Sequence, residues 1–65
     1  MKKETLKKRI EHEMYILESI KEAIEKLGEL RREENSVILS KLVRSAGKVN
    51  ELMVQDNVEL KKMEI

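Results

Sequence analysis

Two acidic side chains occupy places where a helical protein usually keeps apolar contacts. Glu13 falls on the apolar face of one helical stretch and Asp56 on that of another. If the chain reverses near residues 34 to 35, the two meet in one layer. Carboxylates held together in a core repel and raise one another's proton affinity, an arrangement that acid catalysis also uses. Arg9, one turn before Glu13, and Asn57 are at hand to satisfy such a layer. A polar layer of this kind can fix register and oligomer state at some cost in stability. In a symmetric dimer it would hold four carboxylates, superficially like a carboxylate-bridged dimetal site. That site needs Glu-x-x-His spacing, and the residue three before His12 is Arg9, so no metal and no cofactor are expected.

The remaining chemistry-bearing residues are sparse. His12 lies between Glu11 and Glu13 at the outer edge of the first stretch, where acidic neighbours favour its protonated form. Tyr15, the single aromatic residue, points away from the apolar face, and tyrosine is a frequent contact anchor. His12 and Tyr15 are therefore candidate partner contacts. Serines 19, 36, 40 and 45 have no histidine in a plausible relay, cysteine is absent, and no glycine-rich phosphate loop occurs. An enzyme is not expected.

Charge separates the binding classes. The 14 Lys and Arg against 13 Asp and Glu leave a net charge of +1, so no global field draws in nucleic acid or an anionic membrane. Locally, Lys2, Lys3, Lys7, Lys8 and Arg9 form a basic arm that can contact phosphates, which makes a small nucleic-acid-binding regulator the alternative function. The arm lacks an aromatic platform and its side chains diverge. A helix-turn-helix reading with Gly47 at the turn fails, because Glu51, Asp56 and Glu59 would face phosphate. No apolar run reaches the length of a membrane span or a signal-peptide core, so the chain reads as soluble and cytoplasmic.

The elements that must position these residues are helices. The sequence has 65 residues, 42% of them charged, with no proline and two glycines. Leu6, Ile10, Leu17, Ile20, Ile24, Leu27 and Leu30 repeat with helical period and predict a helix over about 5–30. Ile38, Leu39, Leu42, Ala46, Val49, Met53, Leu60 and Met63 predict a second over about 37–63, with Asp56 interrupting its seam. Between them, residues 31–36 lack apolar side chains and form the expected turn, with Asn35 or Ser36 as cap of the second helix. Reversal there sets Lys41, Arg44 and Lys48 beside Glu22, Glu25 and Glu29, and Glu59 and Glu64 near Lys7, Lys8 and Arg9.

The expected fold is thus a single all-α domain, an antiparallel helical hairpin. Two alternatives remain: three short helices, if Gly28 and Gly47 act as breaks, or one continuous coiled-coil helix. Chains this short seldom build a sufficient core alone, and without disulfide or metal the default is burial shared with a neighbour. Self-association into a four-helix bundle follows as an expectation. Val43, Gly47, Val54, Val58 and Ile65 form a second apolar ridge on the last helix and are the expected oligomer interface. In layout alone, without a shared motif, the hairpin is similar to small plasmid regulators of the Rop type, and layout does not transmit function. The expected role is a protein–protein interaction module: a homo-oligomer of this chain with a further protein partner of unknown identity.

Overall fold

The computed structural model describes residues 2–64, and among them the chain is two helices and a turn. Helix α1 spans Lys3–Leu30 and helix α2 spans Asn35–Met63, packed as an antiparallel hairpin. Both helices start about two residues before the expected positions. Gly28 and Gly47 lie inside them, with nothing within 4 Å of where a Cβ would stand. Neither glycine breaks its helix, which disposes of the three-helix alternative. A glycine in a helix interior costs about 1 kcal/mol relative to alanine, less than the packing of either long seam contributes. The continuous rod is excluded by the reversal at residues 31–34.

That reversal has a specific backbone. Arg31 caps α1 in the left-handed conformation, φ 50° and ψ 47°, a place where helices usually put glycine. The Asn35 N–H then donates to the Arg32 carbonyl at 3.1 Å, and the Ser36 N–H to the Glu33 carbonyl at 3.2 Å. Neither Asn35 nor Ser36 caps α2: the cap position is Glu34, without a side-chain hydrogen bond. The Asn35 side chain instead turns back and donates from Nδ2 to the Leu27 carbonyl at 2.9 Å. Leu27 carries one of the last four carbonyls of α1, which have no partner within their own helix. Asn35 thereby closes the end of the first helix and not the start of its own, and it is buried in doing so.

Packing is deepest at the end away from the turn. Leu6 is fully buried and Ile10 nearly so, joined by Glu13 and Asp56. Toward the turn, Leu17, Ile20, Ile24 and Leu27 meet Leu39, Leu42, Ala46 and Val49 and are only half-buried. Two helices cover one side of each seam residue and leave its other side to solvent. Three residues assigned to the seams from sequence lie outside them: Leu30, Ile38 and Met63 are exposed.

The charge order expected to align the helices is only partly realised. Lys3 Nζ reaches Glu64 Oε1 at 3.7 Å, tying the two chain ends. Among the described residues, Lys41, Arg44 and Lys48 form no ion pair with Glu22, Glu25 or Glu29. These six occupy the outward faces of their helices, where side chains diverge across the hairpin.

Candidate interaction site and its polar layer

The register set by the turn brings Glu13 and Asp56 together, and both are buried, with 7% and 4% of their surface exposed. Arg9 completes the group. Its Nε stands 3.0 Å from Asp56 Oδ2, while 45% of its own side chain stays in solvent. Asp56 Oδ2 nevertheless lacks an aligned hydrogen bond, and Glu13 Oε1 is buried without a partner.

The layer shifts the proton affinity of Glu13 upward. Burial contributes most, by disfavouring the charged form; a hydrogen bond to Asp56 and the repulsion of its charge add to it, and Arg9 opposes them. A protonated Glu13 can donate to Asp56, whose negative charge then rests on Arg9. The arrangement is a buried carboxyl pair between the two helices, with Arg9 at its edge. Among the described residues, no three His, Asp or Glu side chains converge as a metal-ligand group. Asn57, expected in this layer, is absent from it: it is exposed and its Nδ2 donates to the Met53 carbonyl of its own helix at 2.9 Å. One residue after Asp56 along a helix, it is rotated by about 100° and cannot share the same face.

The other sequence-selected residues lie on the surface. His12 is exposed and Tyr15 is 75% exposed. The Ser19 hydroxyl donates to the Tyr15 carbonyl at 3.0 Å, an ordinary bond back to the preceding turn. Val43, Val54 and Val58 are all about half exposed, and Gly47 lies open between them, so the ridge exists on the surface of α2. Ile65 lies outside the described residues. Of the basic arm, Lys3 and Arg9 are paired with Glu64 and Asp56, while Lys2, Lys7 and Lys8 are exposed.

A second apolar strip escaped the sequence reading. Ile16 and Ala23 directly precede the seam residues Leu17 and Ile24 of α1, and Leu30 continues the series at the helix end, at spacings of seven; Ile38, Ser45 and Leu52 precede seam residues of α2 in the same way. In an antiparallel pair, residues preceding equivalent seam positions lie along the same side of the hairpin. Arg9 and Glu59 continue the two series at the open end, where they line one surface groove together with Asp56, Val54 and Val58. Ile16, Leu30, Ile38 and Leu52 are 44%, 60%, 46% and 46% exposed. The seven-residue repeat was available in the sequence, but assigning Leu30 and Ile38 to the seams concealed it.

No family model matches this chain, and no curated protein or solved structure matches it either. Neither helix is long and apolar enough to cross a membrane.

Proposed function

We propose that this chain is a non-enzymatic protein–protein interaction module, a small regulator, adaptor or assembly subunit that works as a homo-oligomer of helical hairpins. One observation carries the reading. The hairpin exposes 5522 Å² of surface, whereas a compact monomer of its mass would expose roughly 4300 Å². The excess of roughly 1200 Å² exceeds the ~800 Å² that each partner contributes to a stable interface of ordinary size. Large apolar side chains at helical spacing, among them Ile16, Leu30, Ile38 and Leu52, are 44–60% exposed, which is the kind of surface a helical neighbour covers.

The shape supports the same reading. The radius of gyration is 15.0 Å and the extents are 49 × 14 × 14 Å, against about 11 Å for the radius of a compact 65-residue domain. A rod two helices wide cannot enclose its own core. The phosphate-contact reading of the N-terminal arm gains no comparable support, since two of its five cations are held by acids of α2.

Sedimentation equilibrium across the micromolar range tests the proposal. The expected mass is at least twice 7.7 kDa, with dissociation on dilution. A folded species of 7.7 kDa at every concentration would end it.

A further inference from the structure

Resting on the self-association reading above, we infer that a second copy of this chain docks along the side marked by Ile16, Ala23, Leu30, Ile38, Ser45 and Leu52, with the two turns at the same end of the dimer. This differs from the valine ridge expected from sequence. The valine ridge lies on α2: of the α1 residues following its seam on that side, Lys7, Met14, Lys21 and Gly28, Met14 alone has a large apolar side chain. The strip is the one surface to which both helices contribute apolar side chains at matching heights. From residue 9 to residue 30 it runs about 31 Å, most of the 49 Å length of the hairpin.

The heights follow from contacts already described. Lys3 meets Glu64, Arg9 meets Asp56 and Asn35 meets Leu27. This register sets Arg9 and Glu59, Ile16 and Leu52, Ala23 and Ser45, and Leu30 and Ile38 each within about one helical turn of the same height. The strip therefore has two layers of large side chains flanking one of small ones, which lets a second hairpin approach closely at the middle. At its open end stand Glu59 and Arg9, the latter half-exposed and also holding Asp56 of its own chain.

That charged layer chooses the orientation. With a two-fold axis along the hairpin, α1 of one copy faces α2 of the other at equal height. Each Arg9 then faces a Glu59 and each Glu59 an Arg9, while Ile16 faces Leu52 and Leu30 faces Ile38. All four helices run antiparallel to their neighbours. If the copies instead ran in opposite directions with the apolar layers stacked, Arg9 and Glu59 would lie over the partner's turn. There Arg31, Arg32, Glu33 and Glu34 offer no net charge to either. Opposite charges at equal height favour the first arrangement by steering and register. The surface excess calculated above is sufficient for one such contact per chain.

The chain has no cysteine, so one label position can be introduced at the exposed turn without side reactions. A nitroxide attached through Glu33→Cys should report a label-to-label distance within about 25 Å, two helix layers plus the label arms, in a sample whose sedimentation mass is that of a dimer. A dimer with labels near the 49 Å hairpin length would overturn the shared orientation and leave self-association standing. A monomer under the same conditions would overturn both. The face is tested separately. Leu52→Lys should weaken the dimer at least 100-fold, and Val43→Lys, on the valine ridge, should leave it within threefold. Helicity at high concentration reports whether either variant still folds. Loss of the dimer in Val43→Lys with retention in Leu52→Lys would overturn the assignment of the face.

Discussion

At the scale of single residues, Glu13 is the position where chemistry and stability oppose each other most directly. Its ordinary pKa is 4.5, and in the folded hairpin the value is raised, first by burial and then by Asp56. The folded state thus holds the Glu13 proton more tightly than the unfolded state does. Stability from this group is fully present below 4.5 and is lost as pH rises through the raised folded value. Lowering the pH from 7 toward 4.5 should therefore increase the contribution of this layer. Glu13→Gln, which keeps the shape and the donor without the charge, should raise the urea midpoint at pH 7. Its advantage over wild type should disappear below pH 4.5. Equal midpoints at pH 7 would show that Glu13 is not strained in the fold.

Asn35 is the second residue with a definite role. Replacing it by alanine removes its bond to the Leu27 carbonyl and leaves that acceptor at the closed end of the hairpin. A cost of about 1–2 kcal/mol is expected, read as a shift in the denaturant midpoint. Had Asn35 been a cap of α2, Asn35→Ser would restore the stability, since serine caps equally well. Serine is too short to reach back across eight residues, so Asn35→Ser should remain destabilised. Hydrogen exchange at the end of α1 would locate the effect.

The helices themselves were legible because charged and apolar residues alternate with period 3.6 through 28 and 29 residues. Their ends were less so. The turn contains Arg31, Arg32, Glu33 and Glu34, strong helix formers in isolation, and nothing in their types marks Arg31 as left-handed. What fixes it is tertiary: the seams must meet, and the chain has four residues in which to reverse. Arg31→Gly should therefore stabilise the hairpin, because glycine escapes a penalty of about 1 kcal/mol for a left-handed side-chain residue. Arg31→Val should lose stability by a similar or larger amount. Thermal unfolding of the two variants at one protein concentration provides the comparison. The polar layer was readable for the same reason as the helices, since Glu13 and Asp56 interrupt otherwise apolar periods. Asn57 was misplaced because its neighbour's position was extended to it, although adjacent helical residues face different ways. The outward pairs of Lys41 and Arg44 with Glu22 and Glu25 failed because sequence order gives height along a hairpin without giving direction around it.

For the whole molecule, the governing fact is that most seam residues are only half-buried, and the proposed association would complete them from outside. Fully burying a leucine-sized side chain stabilises by about 1.5–3 kcal/mol, and among the described residues Leu6 alone of the large apolar ones reaches complete burial. Backbone ordering alone opposes folding by about 1–2 kcal/mol per residue. A hairpin that shares its strip with a second copy converts exposed Ile16, Leu30, Ile38 and Leu52 into core, and folding then becomes linked to association. Linkage has a measurable signature. If unfolding proceeds from folded dimer to unfolded monomers, each tenfold dilution removes about 1.4 kcal/mol of apparent stability. Spread over the unfolding entropy of two 65-residue chains, at about 2.1 cal/mol/K per residue, this lowers Tm by about 5 °C. Circular dichroism melts at 2, 20 and 200 µM should therefore be displaced by about 10 °C across the series. Three superimposed curves would mean that one hairpin folds without its neighbour, and the exposed strip would then have no part in holding the fold.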